Sequence, residues 1–148
     1  MIRGTFAARQ EAYVEAHVYL PPPLHVFIKV SFLIDTGAEV TCLMPHDLAE
    51  LAPAQLEVLK GMLQPAPTTL RTLAGPIQHG VSRAVLGFDH DNGDFSSFGL
   101  HLRVVTAERY LNNPSLLGRD VLFQGQVSAG RDGVFFDVAA GDHDLVRA

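Results

Sequence analysis

The sequence predicts a mostly β protein, folded as a small closed or partly open barrel with a hairpin on it and a few short helices. Pairs of strand-like segments are joined by proline or glycine turns, and only short stretches have helical spacing. With 148 residues and 47% hydrophobic residues, the chain can bury one substantial core. We therefore interpret residues 1–148 as a single domain, with loose tails expected over 1–10 and 139–148.

The first hairpin is predicted from two segments rich in β-branched and aromatic residues, Glu11–Leu20 and Leu24–Ile34. Three consecutive prolines at positions 21–23 separate them. Because proline has no N–H to donate to a strand ladder, the first strand should end there and the second should return beside it.

Two short helices are predicted after this hairpin. Pro45–Leu51 should form one or two turns, with Pro45 near the first helical position. Pro53–Met62 should form a second helix, because Leu56, Leu59 and Leu63 recur at helical spacing.

The middle of the chain predicts two further hairpins. Thr68–Leu73 and Ile77–Phe88 are strand-like segments around Ala74-Gly75-Pro76. Asn92-Gly93 is typical of a tight turn, and it should return the chain into a strand over Phe95–Thr106.

The last third of the chain predicts a short helix near Val121–Phe123 and a final strand at Gly133–Val138. In the preceding strand, Leu100, Leu102 and Val104 alternate with His101 and Arg103. Alternation of this kind is typical of a strand.

Charge and composition argue against several classes of function. The net charge of −5 gives no overall positive field for nucleic acid or for an anionic membrane. No apolar stretch is long enough to span a bilayer, and the opening residues lack the pattern of a signal peptide. Cys42 is the only cysteine, which excludes an internal disulfide. We expect a cytoplasmic protein without a metal or another cofactor.

The most informative motif is Asp35-Thr36-Gly37, which directly follows an apolar run. A carboxylate at the end of a buried strand is costly unless it is hydrogen-bonded, paired or used in chemistry. Glycine lets another chain approach the backbone closely. Taken alone, the triplet is also compatible with an ordinary turn in which Asp35 is solvated.

The surroundings of this motif distinguish the two interpretations. An apolar lead-in, an alanine after the glycine and a distant apolar-apolar-Gly-Arg-Asp segment accompany it: Phe32-Leu33-Ile34, Ala38 and Leu116-Leu117-Gly118-Arg119-Asp120. Together, over roughly Val14–Val138, these features make the chain resemble the retropepsin-like aspartic proteases. The resemblance implies a small β-barrel of the retropepsin type with a flap hairpin over the substrate.

The resemblance also implies a mechanism and a partner. In that family two facing carboxylates share one proton, activate a water molecule and cleave a peptide bond. Two ionised carboxylates about 3 Å apart would repel by roughly 5 kcal/mol at an effective dielectric near 20, so the pair retains one proton. This chain has a single Asp-Thr-Gly. We therefore predict a homodimer with Asp35 of each chain at the twofold axis, acting on an extended peptide or protein substrate.

The other site residues follow from the same resemblance. Thr36 should hydrogen-bond across the dimer axis, and Gly37 should lie against the substrate backbone. Ala38 stands where two-lobed relatives usually have a serine that donates to the carboxylate. Its lack of a hydroxyl predicts an activity optimum in the mildly acidic to near-neutral range.

Substrate contacts are predicted from the loop and from the flap: Ala38, Glu39, Cys42, Ala74, Gly75 and Pro76. Cys42 should be an apolar pocket residue, since no motif ties a histidine to it. Gly118, Arg119 and Asp120 should support the loop, with Glu39 and Arg119 forming a partly buried ion pair.

Two alternatives remain open from the sequence. A dimer with this fold can bind peptides or serve as a scaffold without cutting. A monomer with an idle motif is also compatible, because the last ten residues are small and polar and do not suggest an interface strand.

Overall fold

The computed structural model describes residues 1–67, 70–72 and 75–147. The strands in this part of the chain are β1 (Ile2–Arg3), β2 (Thr5–Phe6), β3 (Ala12–Leu20), β4 (Val26–Ile34), β5 (Cys42–Leu43), β6 (Gln64–Pro65), β7 (Leu70–Thr72), β8 (Gly75–Ile77), β9 (Gly80–Asp89), β10 (Phe95–Val104), β11 (Leu116–Leu117), β12 (Gln126–Gly130), β13 (Gly133–Asp137) and β14 (Gly141–Asp144). The helices are α1 (Pro53–Met62) and α2 (Arg119–Leu122), with short 3₁₀ helices at Pro45–Leu48, Glu108–Tyr110 and Leu145–Arg147.

Six strands close into a mixed barrel. Around the ring, β3 pairs with β4, β4 with β11, β11 with β5, β5 with β10, β10 with β9, and β9 again with β3. The β4–β11 and β5–β10 pairs are parallel, and the other four are antiparallel. The predicted class, a mostly β barrel with short helices, is therefore confirmed.

The barrel interior is filled by the inward-facing side chains of its strands. Alternate residues of β3, β4 and β10 are buried, as strand geometry requires when one face lies in a core. Phe88, Phe98 and Phe136 lie against one another, with ring centroids 5.7 to 6.3 Å apart. The core thus joins the barrel to β13, which belongs to the separate sheet β1–β13–β12.

The predicted first hairpin is confirmed: β3 and β4 pair along their whole length, from Leu20 with Val26 to Tyr13 with Leu33. The predicted second helix is confirmed as α1, and Leu59 on its inner face is fully buried. The turn predicted at Asn92-Gly93 joins β9 to β10, with Gly93 at a positive φ of 91°.

The ends of the chain differ from the expected loose tails. Residues 1–10 contain β1 and β2, which pair with β13 and β3, and β14 lies parallel to β10. The strand β12 was not predicted; it is mostly exposed, so it lacks the buried alternation from which strands were predicted.

The predicted flap hairpin is only partly described. Strands β7 and β8 pair antiparallel, with Leu70 opposite Ile77 and Thr72 opposite Gly75. Gly75 and Pro76, expected at the tip, lie within β8. Ala74 lies outside the described residues, as do positions 68, 69 and 73 of the predicted preceding strand.

No helix in the described ranges has both the length and the apolar character needed to cross a membrane.

Candidate active site

The Asp35 carboxylate lies at the end of β4, where the barrel strand gives way to a tight loop. The Asp35 backbone N–H donates to Leu117 O of β11 at 3.1 Å, and Asp35 O accepts from Ala38 N at 3.1 Å. Within the loop, Gly37 N donates to Asp35 Oδ1 at 2.9 Å. The carboxylate is half-buried. The backbone of Asp35 is therefore held on both sides, and its carboxylate accepts one hydrogen bond within the loop, from the Gly37 N–H.

Glycine at position 37 permits this close approach. A Cβ built there would lie 3.1 Å from Asp35 Oδ1, closer than most real Cβ contacts. A side chain at this position would therefore require the Asp35 carboxylate to shift by a few tenths of an ångström. Thr36 and Gly37 are exposed, so the surface around the carboxylate is open in the single chain.

The Gly118-Arg119-Asp120 segment packs directly on this loop. Arg119 N donates to Ala38 O at 2.8 Å. A Cβ on Gly118 would come within 2.5 Å of the Val40 carbonyl carbon, so only glycine fits between the two backbones. The structure thus brings together two motifs that are some eighty residues apart in the chain.

The Asp120 carboxylate ties the two segments together. Its Oδ1 accepts from Thr41 Oγ1 at 2.6 Å and from Val121 N at 2.9 Å, and its Oδ2 accepts from Thr41 N at 3.1 Å. The Thr41 hydroxyl oxygen also accepts from Gly118 N at 3.1 Å. Charge-assisted bonds of this kind are stronger than neutral ones. Asp120 therefore supports the loop through its own side chain.

A second buried hydroxyl, that of Ser115, links the residue before β11 to the 3₁₀ helix at Pro45–Leu48 and to Met44 just before it. Ser115 Oγ donates to Asp47 Oδ2 at 2.5 Å and accepts from Met44 N at 2.9 Å. Ser115 and Thr41 are fully buried, and neither was singled out from the sequence. The sequence offered one signal for both residues, because each is a small hydroxyl residue next to an apolar run. A hydroxyl buried in such a run needs a hydrogen-bond partner elsewhere in the fold.

The predicted ion pair between Glu39 and Arg119 is wrong for the single chain. Glu39 is exposed, and no ion pair among the described residues joins it to Arg119. The Arg119 guanidinium instead lies 5.9 Å from the Phe123 ring centroid, and its Nε is buried without a hydrogen-bond partner. The backbone of Arg119, and not its charge, holds the loop.

Cys42 is buried, as predicted for a small apolar residue. It belongs to a cluster with Met44, Ile77 and Val105, which brings the base of the β7–β8 hairpin onto the strand that follows the Asp35 loop. Burial raises the pKa of the Cys42 thiol to about 12, against a smaller lowering effect of the Arg103 charge. The thiol is therefore protonated at neutral pH and is a poor nucleophile.

The remaining predicted site residues are placed as follows. Ala38 is half-buried, with its carbonyl engaged by Arg119. Pro76 is exposed on β8, and Gly118 is buried. Among the residues that the structure describes, no group of three or more His, Cys, Asp or Glu side chains is arranged to hold a metal ion.

Comparison with known proteins gives structural neighbours only. Neither protein-family models nor curated protein sequences give a match to the chain. One structural neighbour is the EIAV protease complexed with the inhibitor HBY-793: 16% identity, a TM-score of 0.47, and coverage of 80% of this chain and 91% of that chain. Another is a retropepsin-like aspartic protease from Rickettsia conorii: 19% identity, a TM-score of 0.49, and coverage of 95% of this chain and 92% of that chain. Over most of its length, the chain is similar in structure to retropepsin-like aspartic proteases.

Proposed function

We propose that the chain is a homodimeric aspartic endopeptidase in which Asp35 of each subunit contributes one of two facing carboxylates. The observation that carries this proposal is the Asp35 loop itself. Its half-buried carboxylate is held by the Gly37 N–H at the end of a barrel strand, and the loop is braced by the segment around Gly118 and Asp120.

Such bracing suits a site that holds two acids together. Two ionised carboxylates about 3 Å apart repel by roughly 5 kcal/mol at an effective dielectric near 20, and a loose loop would simply swing them apart. One shared proton removes most of this repulsion. The ionised acid can then take a proton from a bound water molecule while the protonated acid supports the developing oxyanion of the peptide.

The second carboxylate must come from another molecule, because the sequence contains one Asp-Thr-Gly. Thr36 and Gly37 are exposed beside Asp35, so they are accessible to a second copy and to a substrate backbone. In a twofold dimer the same surface serves both subunits. The β7–β8 hairpin, joined through Ile77 to the cluster around Cys42, would cover an extended peptide bound by strand addition.

The direct test compares the wild type with Asp35→Asn on a diverse peptide library. We expect the wild type to cleave and Asp35→Asn to lose activity while it still sediments as a dimer. Asp132→Asn is the matched control, since Asp132 is an exposed aspartate in the turn between β12 and β13. Equal loss of activity in both variants would contradict a role for Asp35 in the chemistry.

A mixing experiment tests the shared site. If equal amounts of wild type and Asp35→Asn exchange chains freely, only about a quarter of the dimers carry two Asp35 residues. Activity should then fall to about half that of the same amount of wild type alone, at concentrations above the dimer dissociation constant. Unchanged activity would show that one chain suffices and would exclude the proposed mechanism. A wild-type dimer that binds peptides without cleaving them would favour a binding module instead.

A further inference from the structure

A cavity of about 570 Å³ lies beside the outer face of β9 and β10, and none of residues 35–39 lines it. Its walls are largely apolar: five prolines at positions 21–23, 65 and 67 line it, together with Met62 and Val81. Among the residues that the structure describes, the titratable groups that line it are Arg83, His101 and Arg103, and none of the lining side chains is a carboxylate. The volume is that of a typical small-molecule site.

Arg103 is the unusual member of this lining. It lies on the outer face of β10, yet only 8% of its surface is exposed. Its Nε and Nη1 are buried without a hydrogen-bond partner. A buried cation without partners is strongly disfavoured, so such a group in a native protein requires an explanation.

No neighbouring group in the described part of the chain supplies the missing charge. Arg103 is absent from the ion pairs among those residues. Its register partner on β5 is Cys42, whose thiol stays neutral at pH 7 because burial raises its pKa to about 12. Arg103 therefore lines a largely apolar cavity while its Nε and Nη1 lack hydrogen-bond partners.

We propose that this cavity binds an organic carboxylate with an apolar body, whose carboxylate is bound by Arg103. A guanidinium forms strong charge-assisted hydrogen bonds with a carboxylate, and the proline-rich wall would bury the apolar part of the ligand. Among the described lining residues Arg103 is the buried cation, whereas Arg83 and His101 are exposed, where solvent and salt screen their charge. A carboxylate with a single negative charge matches this one buried guanidinium. This proposal does not depend on peptidase activity.

The test is a calorimetric titration of the intact protein with octanoate and, separately, with octanol. We expect octanoate to bind at least tenfold more tightly than octanol. Arg103→Met, which replaces the aliphatic stem with one of similar length and removes the charged guanidinium, should bind octanoate at least tenfold more weakly than wild type does. Arg131→Met, at an exposed turn position, should bind octanoate as wild type does. Equal binding of octanoate and octanol, or equal loss in both variants, would overturn the proposal.

A measurement on the wild type alone tests the site even if Arg103→Met does not fold. Nuclear magnetic resonance shifts caused by octanoate should centre on Val81, His101 and Arg103, and shifts confined to other parts of the barrel would contradict the site. Inorganic phosphate that displaces octanoate at a similar concentration would overturn the choice of carboxylate.

The carboxylate could belong to a free organic acid or to an acidic side chain of a peptide, and a binding experiment with peptides distinguishes the two. A short apolar peptide with one glutamate is compared with the same peptide carrying glutamine. Tight binding of the glutamate peptide with weak binding of octanoate identifies the source as an acidic peptide side chain. The reverse identifies a free organic acid, and binding of neither refutes the assignment.

Discussion

The Thr41 hydroxyl offers the sharpest test of how the candidate site is held. Thr41→Val keeps the shape of the side chain, so it should leave no cavity, but it removes two hydrogen bonds. One is the 2.6 Å bond from Thr41 Oγ1 to the Asp120 carboxylate, and the other is the 3.1 Å bond accepted from Gly118 N.

The expected cost follows from these two contacts. A hydrogen bond to a charged group contributes about 1.5–3 kcal/mol, and leaving the buried Gly118 N–H without a partner costs about 1–3 kcal/mol. Asp120 is half-buried and can regain some hydration, which lowers the first value. We therefore expect Thr41→Val to lower the free energy of unfolding by about 3 kcal/mol.

Urea-induced unfolding followed by far-ultraviolet circular dichroism measures this change, since the chain has no tryptophan for fluorescence. Protein concentration is kept constant, because dimerisation would make stability depend on it. Thr41→Ser, which retains the hydroxyl, should recover most of the loss. Thr5→Val is the control at an exposed threonine, with an expected change within about 0.5 kcal/mol. A Thr41→Val variant as stable as that control would refute the reasoning.

Two further predictions concern the packing of the same region. Gly118→Ala should lower the free energy of unfolding by about 2 kcal/mol or more, because its Cβ would lie 2.5 Å from the Val40 carbonyl carbon. Gly61→Ala is the control: it lies in helix α1 with open space around it and should be neutral or stabilising. Similar unfolding curves for the two variants would contradict the close packing at Gly118. Cys42 should resist alkylation by iodoacetamide at pH 8 in the native protein and react in urea, because burial raises its pKa to about 12 and prevents access; rapid native labelling would contradict this. Since the native thiol holds its proton more tightly than an unfolded one, its contribution to stability is complete below about pH 9 and is lost as the pH rises toward 12, so wild type should lose stability faster than Cys42→Ala over that range.

Several elements follow from local sequence alone. The β3–β4 hairpin was predictable because proline interrupts two strand-like segments, and α1 because leucine recurs at helical spacing. The position of Asp35 at the end of a buried strand was predictable for the same local reason. Such patterns report which face of an element is apolar, and a core forms on that face.

Contacts between distant segments depended on the tertiary structure. Thr41 and Asp120 meet because β11 inserts between β4 and β5, and no local pattern encodes that register. The same strand pairing leaves Glu39 exposed and places the backbone of Arg119 on the Asp35 loop. The predicted ion pair between Glu39 and Arg119 therefore does not form in the single chain.

Arg103 shows the limit of local patterns most clearly. It lies on the face of β10 opposite the barrel core, and only the folded chain buries it there, while His101 on the same face stays exposed. The sequence by itself thus determined the strands, the main helix and the place of the acid, because these depend on neighbouring residues. Tertiary structure alone decided which polar groups find partners and which remain without one, because pairing across the barrel depends on how distant strands align.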